Sequence, residues 1–335
     1  MNILLIRLKS IGDVVLTLPA VNAIRDNFPD AKITFLTSLE NASLLAGFKA
    51  VDKVISLDRK LFRSGNPFKI FPSLGRLLRA LRKGHFDLVL DFQGYGETAW
   101  LTRITGASQR WGSVYGRGRD WAYTLGVPRQ NQLHHAERNL AILHAGRLPV
   151  VNLRNAFDLP PTAAVAAKDF FQRNQLDPTR STLFLQPFTS SPDKDWPLEN
   201  YLQVAKHWQA QGWQIIFGGG PNDRAGLECA LAGRFITSSG VSLLVTGGLM
   251  QLSTLVLGGD TGALHLAVAL NCKVLMLIDS TGLGWAFPFQ HPDWAIASSI
   301  GNKVSSITVS EVVTACERVI QIPAAKVKNR TSIAQ

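Results

Sequence analysis

The sequence predicts an α/β protein made of two Rossmann-like halves, each a parallel sheet covered by helices. Three observations carry that expectation. Apolar runs of strand length alternate with helix-length periodic segments along the whole chain. A length of 335 residues exceeds what one compact core usually organises. The paired prolines Pro160 and Pro161 mark a break near the middle.

In the first half, residues 2–8 read as an apolar strand, followed by a glycine turn at Gly12 and a helix over 14–27. Residues 32–36 and 51–56 are the next strands. An amphipathic helix over 73–83 precedes a strand at 86–92, and 109–111 with a loop rich in Gly, Arg and Tyr closes the half. A helix around 136–145 leads to the interdomain connection, expected within 148–161. The second half repeats the alternation, with strands at 182–186, 213–217, 234–238, 255–259 and 273–278. Its helices are expected at 198–211, 224–233, 248–254, 261–270 and 310–320. The domains are therefore expected to be 1–155 and 156–322, with 323–335 a frayed tail.

Composition narrows the class. A hydrophobic content of 46% with 18% charged residues describes a folded globular protein. Cys229, Cys272 and Cys316 are scattered and lack metal-ligand spacing, which points to a reducing cytoplasm without a disulfide frame or structural zinc. Residues 235–259 carry no charge and are long enough by count to span a bilayer. Ser238, Ser239, Thr246, Gly247, Gly248 and Gln251 within them favour a buried helix and strand instead. Arg7, Lys9 and Asp13 interrupt the first apolar run too early for a signal peptide.

The net charge of +11 asks for an acidic partner. Arg59, Lys60, Arg63, Lys69, Arg76, Arg79, Arg82 and Lys83 fall in one run whose single acid is Asp58. A solvated helix face and a surface that meets phosphates explain this run about equally. Aromatic interleaving is thin and no nucleic-acid motif accompanies it, so lipid phosphate is favoured over nucleic acid.

Several short motifs fall past expected strand ends, where open α/β sheets gather their reactive groups. Asp260-Thr261-Gly262 opens a helix after a strand, and unpaired amides at such a start favour a phosphate. Thr261 and His265, four apart, share one helix face. An ordinary capped helix with a core histidine is the plainer alternative. Lys194, in Lys194-Asp195-Trp196-Pro197, precedes a proline-initiated helix and suits a diphosphate leaving group; alone it would read as a surface lysine. Asp193 and Asp195 spell a metal motif, but the lysine between them argues against it. The segment Gly218–Asp223 lacks the third glycine of a dinucleotide loop, so hydride transfer is a poor reading. Asp223 suits ribose hydroxyls or a plain cap. Asp13, in Ser10-Ile11-Gly12-Asp13, presents a carboxylate fit to deprotonate a sugar hydroxyl, or a helix cap.

Together, ILLIRLKSIGDVVLTLPAVNAIR at the start, FDLVLDFQG, KDWPLENY and LSTLVLGGDTGALHLAVALN resemble glycosyltransferase family 9, the lipopolysaccharide heptosyltransferases. The resemblance spans roughly residues 1–290. It implies a GT-B fold, in which two Rossmann-like domains face each other across a cleft, with the acceptor on the N-terminal side and the nucleotide sugar on the C-terminal side. It implies an inverting transfer without metal or other cofactor, typically of L-glycero-D-manno-heptose from ADP-heptose to the lipopolysaccharide inner core. Asp13 matches the family's base; Lys194, Thr189, Asp260, Thr261, Gly262 and His265 match the donor diphosphate segments, and Asp223 a ribose-binding acid. Arg59, Lys60 and Arg63 are expected to meet acceptor phosphate. The final helix is expected to cross back onto the N-terminal domain, and the enzyme to be cytoplasmic, with peripheral contact at the inner membrane. Two departures lie near the donor pocket: Pro187-Phe188 where the family has Pro-Gly, and Asp279-Ser280-Thr281 where it has Gly-Pro-Thr. Another nucleotide sugar, a nucleotide-sugar epimerase on the same plan, and a non-catalytic carbohydrate- or lipid-binding protein are the competing readings.

Overall fold

The computed structural model describes residues 1–63, 67–115, 118, 120–281 and 286–322. It divides into a first unit, Met1–Asn155, and a second that begins at Ala156.

The first unit holds β1 (Asn2–Ile6), α1 (Ile11–Val15), α2 (Leu18–Asn27), β2 (Lys32–Ser38), β3 (Lys53–Leu57), α3 (Arg59–Arg63), α4 (Pro67–Lys83), β4 (Leu88–Asp91), α5 (Gly96–Ile104), β5 (Gln109–Val114), β6 (Leu125–Pro128) and α6 (His135–Ala145). All pairings are parallel, in the order β3-β2-β1-β4-β5-β6. β1 and β4 are central and covered on both faces, which is why they read as unbroken apolar runs rather than alternating ones. The strand order reverses between β1 and β4, and the crevice past that reversal is the usual ligand site of a doubly wound sheet.

The second unit repeats the plan with α7 (Pro161–Arg173), β7 (Thr182–Gln186), α8 (Leu198–Ala210), β8 (Gln214–Phe217), α9 (Glu228–Ala232), β9 (Ile236–Thr237), α10 (Leu243–Gln251), β10 (Leu255–Gly259), α11 (Gly262–Ala269), β11 (Val274–Leu277), β12 (Ala295–Ile296) and α12 (Val309–Gln321). Its parallel order is β12-β11-β10-β7-β8-β9, so the reversal falls between β10 and β7. At Gly258 a side chain would sit 2.6 Å from the Gln186 carbonyl, so this residue has no room for one.

Several elements depart from the sequence expectation. The helix expected over 14–27 is two helices, broken at Leu16–Thr17, where Thr17 Oγ1 donates to the Val14 carbonyl and Pro19 restarts the next helix. α4 begins six residues before the expected start and carries Pro72 inside it. The segment read as a break at Pro161 is the first turn of α7, with the proline at the position where its missing N–H costs nothing. The uncharged stretch 235–259 is β9, α10 and β10. Among the described residues, no helix is long and apolar enough to cross a membrane. The final helix lays its buried stripe of Val312, Ala315, Cys316 and Val319 on α8, β10 and β11 of its own unit.

Candidate functional site

In the first unit, polar groups gather past β1 and β4. Arg7, just beyond β1, is buried and donates through Nε to the Lys9 carbonyl at 3.0 Å, which fixes its guanidinium. Ser10 caps α1, and Asp13 in its first turn closes a capping box: Asp13 Oδ2 accepts from Ser10 N at 3.0 Å and Ser10 Oγ at 3.2 Å. The same oxygen pairs with Arg7 at 2.7 Å. The other oxygen, Oδ1, faces His135 Nδ1 at 3.2 Å from the first residue of α6. Burial by itself raises the Asp13 pKa. The Arg7 charge and the hydrogen bonds from His135 and Ser10 outweigh it, and hold the carboxyl well below the usual range. Asp13 is thus a cap and an ion-paired carboxylate at once.

A small pocket surrounds this carboxylate, lined among others by Tyr115, Arg129, His135 and Arg138. Arg129 lies over the Tyr115 ring at 4.3 Å, and its Nε is buried without a hydrogen-bond partner among the described residues. Burial, together with the like charges of Arg138 and Arg7, pushes the Arg129 pKa down. Three guanidinium groups around one carboxylate leave the pocket electropositive and suited to a substrate anion.

Asp91 ends β4 opposite Ile6 of β1 and is fully occupied. It accepts from Gln93 N at 2.9 Å, Gly94 N at 3.0 Å and the Tyr123 hydroxyl at 2.7 Å. It is wholly buried, and burial raises its pKa despite those bonds. Gln93 Oε1 in turn accepts from the amides of Leu8 and Lys9, so this loop holds the segment that carries Asp13.

In the second unit the corresponding groups lie past β7 and β10. Lys194 Nζ pairs with Asp260 Oδ2 at 2.6 Å, and Asp260 Oδ1 meets His265 Nε2 at 3.0 Å. Burial raises the Asp260 pKa, but the His265 hydrogen bond and charge and the Lys194 contact outweigh it, so it stays ionised well below the usual range. Thr261, not Asp260, caps α11, accepting from Leu264 N at 3.3 Å. His265 is buried among core residues with Nε2 committed to Asp260, so it orients the acid rather than facing outward with Thr261. Lys194 keeps 43% of its side chain exposed and so can still reach an anion.

Thr189 is locked into its loop: its amide donates to Asp195 Oδ1 at 2.8 Å and its hydroxyl to the Ser191 carbonyl at 2.8 Å. The amide bond engages Asp195, one of the two acids of the metal motif. Asp223 Oδ2 accepts from Gly220 N at 2.8 Å and closes the turn after β8. Arg59 lies 3.8 Å from Glu97 of α5, Lys60 is exposed, and the side chain of Arg63 lies outside the described residues. The structure therefore joins Asp13 with Arg7 and His135, and Lys194 with Asp260 and His265. Among the described residues, Arg59 and Lys60 are not joined to the Asp13 group within the first unit, nor Asp223 to the Lys194 group within the second. His135, Arg129 and Arg138 were missed in the sequence; the only signal was a cluster of basic residues around the start of α6.

Two doubly wound units in one chain, each with charged groups gathered where its strand order reverses, give the GT-B fold. The family model for glycosyltransferase family 9 (heptosyltransferase) matches residues 74–305, and the chain belongs to that family, as a glycosyl-transferring enzyme. It is similar to lipopolysaccharide heptosyltransferase 1 of Pseudomonas aeruginosa, 27% identical over 306 residues that cover 85% of this chain and 80% of the relative. Among solved structures it resembles a glycosyl transferase family 9 protein from Veillonella parvula, with a TM-score of 0.85 at 19% identity, covering 95% of this chain and 97% of that one. It also resembles the E. coli heptosyltransferase WaaC with ADP, with a TM-score of 0.77 at 21% identity, covering 95% of this chain and 100% of that one.

Proposed function

We propose that this chain is an inverting, metal-independent heptosyltransferase that moves L-glycero-D-manno-heptose from its ADP derivative to an anionic, lipid-linked saccharide of the lipopolysaccharide inner core. The observation that carries the reading is Asp13, a pinned carboxylate in an electropositive pocket past β1, in a chain similar to lipopolysaccharide heptosyltransferases. On this reading the first unit holds the acceptor and the second the donor, and the enzyme works in the cytoplasm, peripheral to the inner membrane.

The reaction is a single displacement. The acceptor hydroxyl oxygen forms a bond to the anomeric carbon as the bond from that carbon to the diphosphate oxygen breaks. The hydroxyl proton passes to Asp13 Oδ1, the oxygen that Arg7 and Ser10 do not occupy. A carboxylate held so acidic is a weak base toward a resting hydroxyl. It accepts the proton once the hydroxyl oxygen has become acidic through bonding to the sugar, late along the reaction. His135 at Oδ1 holds the carboxylate in line. The leaving diphosphate gains negative charge, which Lys194 and the start of α11 stabilise. Asp260 contributes by aiming Lys194, and it does so without being neutralised at working pH. Asp223 is assigned to the ribose of the donor, and Arg59, Lys60 and Arg63 to acceptor phosphate.

A different donor is the second reading, because Phe188 packs over Gly226 beside the turn that carries Asp223, where the family usually has glycine. Thermal-shift and donor-hydrolysis screens against ADP-, UDP- and GDP-sugars test the assignment. Stabilisation and turnover with ADP-heptose alone support it, and a preference for a UDP- or GDP-sugar overturns the donor.

A further inference from the structure

α4 has two unlike faces. Leu77 and Leu81 point into the core of the first unit, alongside Phe86 and Leu101. The opposite face carries Arg76, Arg79 and Arg82, three apart, with Lys83 four beyond Arg79, all exposed and with no acid anywhere on the helix. At the start of the same helix Phe68 is 88% exposed and Phe71 70% exposed. Buried apolar faces explain most amphipathic helices, but they do not explain two large aromatics left in water on the basic side.

The neighbouring helix extends the feature. α4 packs on α5, where Trp100 and Ile104 are four residues apart and share a face. Trp100 is 60% exposed and meets Trp121, itself 46% exposed, edge to face at 4.7 Å. Between the helices lies a groove of about 390 Å³ whose walls are Leu78 and Ile104, and whose rim is Arg79, Arg82 and Lys83. An apolar slot edged by three cations and flanked by exposed aromatic rings has the layering of a lipid interface: acyl chain, then phosphate, with Trp and Phe at headgroup depth.

We propose that the α4–α5 face is the surface by which this enzyme docks on an anionic phospholipid bilayer. Arg79, Arg82 and Lys83 meet lipid phosphates, the groove between Leu78 and Ile104 takes the upper part of an acyl chain, and Phe68, Phe71 and Trp100 enter the headgroup layer. Nucleic acid fits less well, because the cations follow one convex helix and the apolar walls of the groove would face no apolar partner. The proposal rests on the lipid-linked acceptor only for its purpose, and its measurement needs neither donor nor acceptor.

The test is co-sedimentation with vesicles of phosphatidylcholine, with and without about one-third phosphatidylglycerol. The wild-type chain is expected to bind the anionic vesicles and leave the neutral ones. The triple variant Arg79→Gln/Arg82→Gln/Lys83→Gln is expected to weaken binding roughly a hundredfold and flatten its salt dependence. Phe68→Ala/Phe71→Ala is expected to weaken it about tenfold at unchanged salt slope. All five positions are exposed, so circular dichroism should show an intact fold, and turnover of a soluble, delipidated acceptor should be unchanged. Equal binding to neutral vesicles, wild-type binding by both variants, or binding of single-stranded RNA that ignores the aromatic variant would each overturn the docking surface. Vesicle docking without any sugar transfer would leave the surface standing and remove the transferase assignment instead.

Discussion

Asp13 and Arg7 form an ion pair 2.7 Å apart across the turn after β1, and the pair uses only one of the two carboxylate oxygens. Ser10 donates twice to that same oxygen, while the other faces His135. On the proposed mechanism, one side of the group has a structural task and the other is left to chemistry, so stability, pH response and turnover all depend on a single side chain.

The pH response follows from the sign of the shift. The folded pKa of Asp13 lies below its unfolded value, so the pair's contribution is present above about pH 4 and is lost as pH falls through the folded value. The melting temperature of the wild-type chain minus that of Asp13→Asn is expected to be positive and flat between about pH 6 and about pH 8, and to shrink below about pH 4. A gap that grew on acidification would mean that Arg7 does not stabilise the ionised form.

In the second unit, Lys194→Met should lower kcat about a hundredfold or more while the donor KM changes less, because the charge it meets is largest in the transition state. Asp260→Asn should reproduce part of that loss, since Lys194 loses its anchor at 2.6 Å but keeps its charge. Equal changes in KM and none in kcat would reduce Lys194 to a ground-state contact.

Much of the architecture was readable because doubly wound sheets bury both faces of their strands. β1, β4, β7, β10 and β11 therefore stand out as apolar runs; Asp260 follows β10 directly, and Asp13 and Lys194 lie in the segments after β1 and β7. The partners of these residues were not readable. Asp260 and Lys194 meet across 66 residues of sequence, and α6 brings His135 to Asp13 only once the sheet has formed. α5 and β6 carry too few periodic apolar positions to declare themselves, and Pro161 opens a helix where prolines more often end one.

Gly94 should tolerate no side chain. It sits at φ 68°, and a Cβ there would lie 2.2 Å from the Ser113 carbonyl oxygen, so the backbone itself must move. Gly94→Ala is expected to cost about 2–3 kcal/mol in chemical denaturation, from the left-handed conformation and the displaced strand together. A loss under about 0.5 kcal/mol would show that the loop holding Asp91 is free to shift.

Transfer should survive excess EDTA. The reading assigns leaving-group charge to Lys194 and the start of α11, and Asp195 already accepts from Thr189 N. Activity that vanishes on chelation and returns only with magnesium or manganese would revive Asp193 and Asp195 as ligands.

On the proposed mechanism Asp13 takes the proton of the attacking hydroxyl, and Asp13→Asn separates that role from a structural one. The substitution keeps the shape and much of the hydrogen bonding, but it leaves Arg7 opposite a neutral group, and a loss of about 1–2 kcal/mol in stability is expected. Turnover must therefore be measured per folded molecule, below the variant's melting temperature. Donor binding is expected to be normal and sugar transfer at least about a hundredfold slower than wild type. Near-wild-type turnover in folded Asp13→Asn would contradict it and leave the carboxylate as a structural cap.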